Sequence, residues 1–566
     1  MTSVVTLGIN DGHTAGAALV KDGQVLAAIQ EERLVNIKNY SGVPHRAIAE
    51  VFRISRVDPQ DVNVVAIVSL NRVYAPLAET PWKVRLFEQI SPFVHGHTWS
   101  RFYVRVLHKR RRMDELRQAL RDNGLQEKEL LFVEHHRAHA ATAFYPRPWE
   151  EQTLVLTADG AGDGLSSTVS IGQRSQMERV ASSTYYDSLG NSFYSEVTGY
   201  LGMKRWEHEY KVMGLAPYGK PEYCLDVMRS LIRVHPSRSL EFQNTSGRCG
   251  THMQKVLRKR LAGQRFDNIA AACQRHFEDL MVQWVRNAVA ATGLHRIACA
   301  GGLFLNVKAN KLLRELGEVE DAFFYPASDD GGTPVGAALE AYYRFCDRDG
   351  KRPERHPLGP IYYGTEFGAE EVVSALKAKG WWKRAEMTDE IDAELGALVS
   401  KGKIVARFRG RTEWGPRALG NRSILADPRD LRVVKKINAA IKQRDFWMPF
   451  APSILEERMG DYLSEARPAR YMIEAFDTTN RATELAASLH PQDGSARPQT
   501  VNSWNLGFRA ALETFQEETG VGGVLNTSFN LHGYPIVGSP ELALWTFENS
   551  QLDALALADY LVSKKV

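Results

Sequence analysis

One pattern constrains the fold of this sequence more than any other: a strand, an acidic Gly-rich turn and a second strand, present twice. The first copy spans 4–20 around Asn10-Asp11-Gly12-His13, and the second spans 154–171 around Asp159-Gly160-Ala161-Gly162-Asp163-Gly164. In the first copy an Asp22-Gly23 turn leads into a further apolar run, and Asp-Gly between apolar runs is a strong hairpin signal. Two such openings far apart in the chain predict an internal duplication.

Two strand-to-helix joints follow the second opening. The run Arg296 to Ala300 leads into Gly301-Gly302 and a helix from Leu303, and 323–327 leads into Ser328-Asp329-Asp330-Gly331-Gly332. A Gly turn at such a joint lets backbone N–H groups approach a phosphate or a ribose closely. The order of these elements resembles that of actin-like ATPases, whose two lobes each open with this pattern.

The second half of the chain begins anew after a linker. The stretch 347–360 is rich in charge, Pro and Gly, and new strands are indicated at 403–408 and 524–530. A chain of 566 residues also exceeds what one hydrophobic core usually supports. We therefore predict an α/β protein with domains at 1–355 and 356–566.

Composition excludes several classes of protein. Hydrophobic residues make up 44% and charged residues 24%, and the formal net charge of +4 gives little support for nucleic-acid binding. The five cysteines include no C-x-x-C pair, which argues against a disulfide framework and a thiolate zinc site. With neither a secretory n-region nor a long apolar run, we expect a cytoplasmic location.

The first group of chemically distinctive residues is a histidine pair in an Ala-rich, helical stretch. His135 and His139 stand four residues apart, so both imidazoles project from one face. A zincin protease would need Glu where His136 stands, which disfavours that chemistry. Asp159 and Asp329 each follow a predicted strand, and two His with two Asp suit ferrous iron, manganese or zinc. The alternative is that both histidines are surface or capping residues.

The second group is an Arg- and Gly-rich loop over 410–423. Guanidinium groups bind phosphate through two parallel hydrogen bonds, and glycines let the backbone approach an anion. A solvated basic loop is the alternative, but the embedded Trp414 disfavours it. Together with Lys442, Arg497 and Ser528 from downstream loops, Arg417 would line an anion pocket.

Six ordered segments carry a resemblance to a known family. They are His135-His136-Arg137-Ala138-His139, Lys211-Val212-Met213-Gly214-Leu215-Ala216, Gly415-Pro416-Arg417-Ala418-Leu419-Gly420 with Arg422-Ser423, Pro449-Phe450-Ala451-Pro452-Ser453, Arg497-Pro498-Gln499-Thr500-Val501 and Leu525-Asn526-Thr527-Ser528-Phe529-Asn530. On these segments the chain resembles the O-carbamoyltransferases of nodulation-factor and antibiotic biosynthesis. The resemblance covers nearly the whole chain.

The resemblance implies a fold and an activity. It implies a duplicated actin-like N-terminal domain, similar to the enzyme of tRNA threonylcarbamoyl transfer, and a YrdC-like C-terminal domain. The C-terminal domain would form carbamoyl-AMP from carbamoyl phosphate and ATP with Mg²⁺, releasing pyrophosphate. The N-terminal domain would pass the carbamoyl group to the hydroxyl of a sugar, glycolipid or antibiotic scaffold.

The resemblance also implies roles for individual residues. The metal, ferrous iron or alternatively manganese or zinc, would be held by His135, His139, Asp159 and Asp329. The adenylate would be bound in the N-terminal domain by Lys211, Gly301, Gly302 and Asn306. Carbamoyl phosphate and ATP would be bound in the C-terminal domain by Arg417, Lys442, Arg497, Asn526 and Ser528, of which Arg417 and Lys442 would also be catalytic.

His13, in the first turn, is the candidate base for the acceptor hydroxyl, because an imidazole accepts a proton near neutral pH. The alternative for His13 is a structural hydrogen bond. The sequence departs from the family's pattern at two positions: Thr14 stands where Asp is common, and Met448 stands where Arg is common. The first departure affects acceptor positioning, and the second removes an expected positive contact with carbamoyl phosphate.

The stretch 81–112 mixes six aromatic with eight basic residues, ending in Lys109-Arg110-Arg111-Arg112. Such a mixture is found at membrane surfaces and in nucleic-acid clamps. We expect a packed lid or a homodimer contact with a solvated basic end. The alternative hypothesis is that this segment handles a large or anionic acceptor, such as a lipid-linked sugar, through peripheral membrane contact.

Two other functions remain open at this point. A sugar kinase or ATPase would account for the N-terminal half but leaves the Arg417 loop without a task. An RNA-binding regulatory protein would use the YrdC-like domain and the 81–112 stretch, but the near-neutral net charge and the lack of an RNA-binding module disfavour it.

Overall fold

The computed structural model describes residues 3–70, 112–249, 251–442 and 444–564. Internal contacts divide the chain into two units, one formed by Met1–Glu31 with Tyr40–Gly359 and the other by Glu32–Asn39 with Pro360–Val566. Within the described ranges, no helix combines the length and apolar character needed to cross a membrane. The aromatic and basic stretch 81–112 lies outside the described residues except for Arg112.

The first unit contains a five-stranded mixed sheet at its N-terminal end. Its strands are β1 (Val5–Asn10), β2 (Gly16–Lys21), β3 (Gln24–Gln30), β4 (Val62–Val68) and β5 (Glu129–Val133). Their order is β3-β2-β1-β4-β5, with β1 antiparallel to β2 and parallel to β4. β2 and β3 pair antiparallel around Asp22 and Gly23, so the predicted hairpin is present. A separate turn between β1 and β2 places Asn10–His13 at the carboxyl end of β1.

A second sheet of the same unit repeats this arrangement. Its strands are β6 (Thr153–Gly162), β7 (Leu165–Gln173), β8 (Gln176–Thr184), β11 (Arg296–Ala300) and β12 (Asp321–Phe324), while β9 (Ile232–Val234) and β10 (Phe242–Asn244) form a separate pair. The order is β8-β7-β6-β11-β12, with β6 antiparallel to β7 and parallel to β11. Both sheets share one strand order and one set of directions, which confirms the internal duplication.

Helices cover the two sheets of the first unit. They are His45–Ser55, 112–122, His135–Phe144, Ser195–Tyr200, Glu209–Leu215, Leu225–Arg229, Thr251–Arg260, Phe266–Thr292, Val307–Arg314 and Thr333–Arg348, while the short helix Glu31–Val35 belongs to the second unit except for its first residue. The last of these packs so closely that a Cβ on Gly8 would lie 1.9 Å from Pro334 O, and one on Gly336 would lie 1.9 Å from Ala138 O. Glycine at these two positions therefore brings the β1 sheet and the helix His135–Phe144 against a common helix.

The second unit is built on one eight-stranded mixed sheet. Its strands are β13 (Ala385–Met387), β14 (Val405–Phe408), β15 (Arg422–Ala426), β16 (Ala451–Leu455), β17 (Gln499–Val501), β18 (Gly523–Ser528), β19 (Ala554–Leu557) and β20 (Tyr560–Ser563). Their order is β13-β20-β19-β14-β15-β18-β16-β17. Its helices are Ala369–Ala378, Ile391–Ser400, Arg432–Ile437, Met459–Tyr462, Leu506–Thr519 and Pro540–Glu548.

Both faces of this sheet are buried. Along β15, Ile424 and Ala426 belong to one apolar cluster and Leu425 belongs to another. Successive strand residues point to opposite faces, so the two clusters lie on the two sides of the sheet. The second α/β domain expected from the sequence is therefore present.

One short segment of the N-terminal half, Glu32–Asn39, is part of the second unit. It packs tightly there, since a Cβ on Gly538 would lie 1.7 Å from Arg33 O. The hydrophobic pattern gave no sign of this excursion, because it depends on contacts between residues several hundred positions apart.

Candidate functional sites

The helix His135–Phe144 presents the histidine pair to the interior of the first unit. Glu134 caps the helix by accepting hydrogen bonds from His136 N at 3.0 Å and from Arg137 N at 2.9 Å, while His135 N donates to Asp163 Oδ2 at 2.8 Å. The helical spacing places His135 Nε2 3.1 Å from His139 Nε2. The two imidazoles therefore offer nitrogen atoms to one point, as the sequence spacing predicts.

Asp159 supplies a carboxylate from β6. The backbone N–H of Gly302 donates to Asp159 Oδ1 at 2.8 Å, while Asp159 Oδ2 lies 3.6 Å from His135 Nε2. One oxygen is thus fixed by the turn after β11, and the other faces the histidines. Such outer hydrogen bonds orient a ligand and tune its basicity.

The fourth group is Asp330, not the predicted Asp329. Asp330 Oδ1 lies 3.2 Å from His135 Nε2 and 3.3 Å from His139 Nε2. The two neighbours differ because Asp329 is the extended residue before a single 3₁₀ turn, in which its carbonyl accepts from Gly332 N, whereas Asp330 is the first residue of that turn. Side-chain direction in such a turn follows no strand or helix period, so a prediction from sequence can miss by one residue.

These four residues fit a divalent cation. Their ligand atoms, two imidazole nitrogens and two carboxylate oxygens, all lie within 4.8 Å of one another. A mixed N and O donor set of this kind suits iron, manganese or zinc. Burial alone would lower the pKa of His135, but the carboxylates of Asp330 and Asp159 outweigh it and hold that pKa well above the usual value. The same histidines hold the pKa values of Asp159 and Asp330 below their usual range, against the effect of burial.

Neighbouring residues keep the cluster in place. His136, which is fully buried, pairs its Nδ1 with Thr157 Oγ1 at 2.8 Å, and burial together with His135 and His139 holds its pKa well below normal. A Cβ on Gly162 would lie 2.0 Å from the His135 ring. Gly162 is thus required for the position of His135, a role that sequence analysis did not assign to it.

His13, the candidate base, lies exposed in the turn between β1 and β2. Asn10 Nδ2 donates to His13 O at 2.8 Å and to Asp330 O at 3.2 Å, so the backbone of this turn is held against the segment that carries Asp330. Thr14 has a φ of +49°, which is strained for a β-branched residue, and its Oγ1 donates to His13 O at 2.8 Å. Asn10 is a positioning residue that the sequence analysis missed.

The predicted nucleotide residues occupy two different settings. Gly301 and Gly302 lie directly after β11, and Gly301 has a φ of +107° with Ala158 O 2.2 Å from where a Cβ would stand. The predicted helix after them is a short 3₁₀ turn, and the α-helix begins only after Asn306. Asn306 caps that helix by accepting from Ala309 N at 3.1 Å, and Lys211 lies on the helix Glu209–Leu215. The two glycines therefore lie next to the cluster of His135, His139, Asp159 and Asp330, since Gly302 N donates to Asp159. The Asn306 side chain instead caps a helix.

In the second unit, the Arg- and Gly-rich loop is organised by one carboxylate. Glu413 Oε1 accepts three backbone hydrogen bonds, from Leu419 N at 2.8 Å, Asn421 N at 2.8 Å and Arg422 N at 3.0 Å. Glu413 is almost fully buried, as is Arg422. The loop is thus a fixed structure rather than a solvated basic segment.

Two further contacts fix the ends of the loop. Arg33, from the Glu32–Asn39 segment, is buried and donates from Nη2 to Gly415 O at 2.9 Å. Arg407 donates from Nη1 to Gly420 O at 3.0 Å and from Nε to Asp392 Oδ1 at 2.7 Å. Arg417 lies between these two anchored glycines.

Lys442 and Ser528, predicted to share the pocket, are in contact. Lys442 Nζ donates to Ser528 Oγ at 3.1 Å and to Asn530 Oδ1 at 2.6 Å, and it also contacts Ser528 O. Lys442 ends a π-helical turn, a feature common at functional sites. Asn530 stands in the predicted loop motif, but its contact with Lys442 was not foreseen.

The cations of this pocket lie close enough to repel one another. Burial, Arg417 and Arg444 hold the pKa of Arg497 well below its usual value, and burial, Arg444 and Lys38 do the same for Lys442. Arg497 forms no ion pair or side-chain hydrogen bond with the described part of the chain. Arg417 thus lies near Arg497, and Arg444, which the sequence analysis did not single out, lies near both Arg497 and Lys442. Met448 is buried and supplies no charge.

Asn526, predicted to bind carbamoyl phosphate, lies buried in β18. Its Nδ2 donates to Ser453 Oγ at 2.9 Å and to Ala418 O at 3.3 Å. Its Oδ1 is buried and has no hydrogen-bond partner among the described residues. Asn526 therefore supports the loop through its amide nitrogen and offers a buried acceptor oxygen.

Comparison with known proteins gives consistent matches along the chain. A family model described as Carbamoyltransferase N-terminus matches residues 5–339, and one described as Carbamoyltransferase C-terminus matches residues 396–564. The nodulation protein NolNO of Sinorhizobium fredii is 32% identical over 562 residues, which cover 98% of this chain and 79% of that protein. The 3'-hydroxymethylcephem-O-carbamoyltransferase of Amycolatopsis lactamdurans is 35% identical over 235 residues, 41% of this chain and 42% of that enzyme. Among solved structures, full-length HypF in the phosphate- and nucleotide-bound form has a TM-score of 0.32 at 11% identity, covering 61% of this chain and 56% of that one.

Proposed function

This chain belongs to the carbamoyltransferase family, and we propose that it carbamoylates a hydroxyl group through a carbamoyl-adenylate made from carbamoyl phosphate and ATP. Its two units would divide the work, as domains 1–355 and 356–566. The repeated strand order of the first unit supports an actin-like assignment for it, and the second unit would correspond to a YrdC-like domain.

The observation that carries this proposal is the group of mutually repelling cations in the second unit. Arg497 lacks a counter-charge among the described residues, while Arg417 and Arg444 lower its pKa further. Cations that are partly removed from water are stabilised when they pair with or bind an anion. Carbamoyl phosphate and the phosphates of ATP supply that charge, and guanidinium forks match their oxygens.

The chemistry of the second unit can be written as a balanced reaction. Water cleaves carbamoyl phosphate into carbamate and phosphate, and a carbamate oxygen then attacks the α-phosphorus of ATP. Pyrophosphate leaves as the new P–O bond forms, and Arg417, Lys442 and Arg497 would neutralise the departing charge. The buried Asn526 Oδ1 would accept a hydrogen bond from the NH₂ of the carbamoyl group.

The first unit would carry out the transfer. His135, His139, Asp159 and Asp330 would hold a divalent metal, with ferrous iron proposed and manganese or zinc as alternatives. A bound cation would supply charge stabilisation for the adenylate phosphate. The N–H of Gly302 would keep Asp159 oriented toward that cation.

Acceptor and adenylate would be handled by neighbouring residues. His13 would accept the proton of the acceptor hydroxyl. The hydroxyl oxygen would at the same time bond to the carbamoyl carbon, and AMP would leave. Lys211 would pair with the adenylate phosphate. The acceptor would be a sugar or a natural-product alcohol, in keeping with the names of the nodulation and cephem relatives.

The decisive experiment is carbamoyl-phosphate-dependent release of pyrophosphate from ATP. We expect release by the wild type and by His139→Ala, loss in Arg417→Ala, and normal release in the control Arg432→Ala, which removes an exposed arginine that pairs with Asp430. His139→Ala should instead fail to transfer the carbamoyl group. Formation of ADP and a phosphorylated acceptor would replace this proposal with a sugar kinase, and salt-dependent RNA binding without nucleotide turnover would favour a regulatory protein.

A further inference from the structure

Trp206 adopts an unusual conformation in the loop between the helices Ser195–Tyr200 and Glu209–Leu215. Its φ is +63°, in the left-handed region that bulky residues rarely occupy, and it is 64% exposed. Glycine or asparagine would close such a turn without strain. A strained and exposed tryptophan is therefore not explained by packing or by turn geometry.

Surrounding groups hold the backbone in this conformation. Trp206 N donates to Glu209 Oε1 at 2.7 Å and to Ser195 Oγ at 3.3 Å. The adjacent Arg205 donates from Nη1 to Glu196 Oε1 at 2.7 Å, and that carboxylate is buried. The loop is fixed on both sides of Trp206, so the position of the indole is determined by the fold.

The indole itself is hydrogen-bonded toward the segment that follows Asp159. Trp206 Nε1 donates to Asn191 Oδ1 at 2.8 Å, and Asn191 N donates to Ser188 Oγ at 2.8 Å. Ser188 Oγ in turn donates to Gly160 O at 2.7 Å. Gly160 directly follows Asp159, so three consecutive hydrogen bonds connect the indole to the turn that carries a metal ligand.

We propose that the exposed face of Trp206 is a platform for the acceptor, and that the acceptor is a sugar in its pyranose form. This inference rests on the proposed function and specifies its substrate class. One face of a pyranose ring presents C–H groups that pack on an aromatic ring, while its hydroxyl groups project from the edge. Stacked on Trp206, such a ring would direct a hydroxyl toward the turn at Asp159.

The test uses methyl glycosides of glucose, N-acetylglucosamine and mannose as probes in saturation-transfer NMR on the full-length protein. Trp206→Gly removes the ring and relieves the left-handed strain, Trp206→Phe keeps a ring, and Trp382→Ala removes an exposed tryptophan of the second unit. We expect a wild-type signal at the ring C–H protons of at least one probe. Its affinity should fall roughly three- to tenfold in Trp206→Gly and stay near wild type in the other two variants. The Tm of Trp206→Gly should be no lower than that of the wild type.

Three outcomes would overturn the proposal. The wild type could bind none of the three probes, or Trp206→Gly could bind them as tightly as the wild type. Equal weakening of AMP binding in Trp206→Gly would instead make the ring an adenine platform. Pyrophosphate release on the same preparations tests the proposed function separately, because the adenylation pocket lies in the other unit and should not respond to Trp206.

Discussion

Replacement of Glu413 by glutamine would test whether one buried carboxylate holds the Arg- and Gly-rich loop 410–423 in shape. Glu413 Oε1 accepts the N–H groups of Leu419, Asn421 and Arg422 at 2.8, 2.8 and 3.0 Å. Glutamine keeps an oxygen of similar size at this position but removes the negative charge. Burial lowers the pKa of Arg422 to about 10, and the carboxylate of Glu413 opposes that effect. Glutamine would remove this opposing charge.

The magnitude follows from these three bonds. A hydrogen bond to a charged group contributes about 1.5–3 kcal/mol and a neutral one about 0.5–1.5 kcal/mol. Part of the loss for three bonds is offset because a neutral amide is less costly to bury than a carboxylate. We therefore expect Glu413→Gln to lower the free energy of unfolding by about 2 kcal/mol, or about 4–8 °C in Tm for a unit of this size. Glu413→Ala would leave all three N–H groups unpaired and should cost at least about 3 kcal/mol.

The assay combines thermal unfolding with pyrophosphate release. Glu413→Gln should raise the KM for carbamoyl phosphate, since Arg417 lies within the loop that Glu413 organises. Glu518→Gln is the matched control, because Glu518 is an exposed carboxylate of the same unit. Unchanged Tm and unchanged KM in Glu413→Gln would refute the view that this carboxylate fixes the loop.

Three further predictions follow from the two sites. Asp330→Asn should reduce bound metal, measured by elemental analysis after loading, far more than Asp329→Asn; equal losses would contradict the ligand assignment. Arg33→Ala should raise the KM for carbamoyl phosphate, with partial recovery in Arg33→Lys, because Arg33 holds Gly415 O. Asp392→Asn should cost about 3–5 kcal/mol at neutral pH, since Asp392 is buried and paired with Arg407. Burial opposes ionisation of Asp392, but its arginine partners outweigh burial and lower its pKa. In chemical denaturation, the extra free energy of unfolding of the wild type over Asp392→Asn should therefore be complete above about pH 4 and should shrink as the pH falls below it.

The local sequence pattern was sufficient to predict a contact where a regular helix or strand sets the direction of the side chain. The pair His135 and His139 converges because a helix brings residues four apart onto one face, and the sequence shows that spacing directly. The duplicated sheets were also predictable, because the pattern of strand, acidic Gly-rich turn and strand occurs twice in the sequence. The prediction that Arg417 lies near another cation rested on the apolar Trp414 within the loop, and Arg417 does lie close enough to Arg497 to lower its pKa.

The local sequence pattern did not predict contacts where the direction of a side chain depends on an irregular turn or on residues far apart in the chain. Asp329 and Asp330 are equivalent in the sequence, and only the 3₁₀ turn decides which carboxylate faces the histidines. The contact of Arg33 with Gly415 joins residues 382 positions apart. Asn10 donates to the backbone of Asp330, and Gly162 leaves room for the His135 ring; no periodicity reveals either contact.

The excursion of Glu32–Asn39 into the second unit has a consequence for dissecting this enzyme. A gene fragment that starts at the linker would encode every strand of the second sheet yet lack the arginine that holds Gly415. Such a fragment would be a folded unit with an imperfect pocket, and supplying the missing peptide in trans should restore it. A second unit exchanged between relatives should therefore carry the Glu32–Asn39 segment with it, because a junction at the linker alone would separate Arg33 from Gly415.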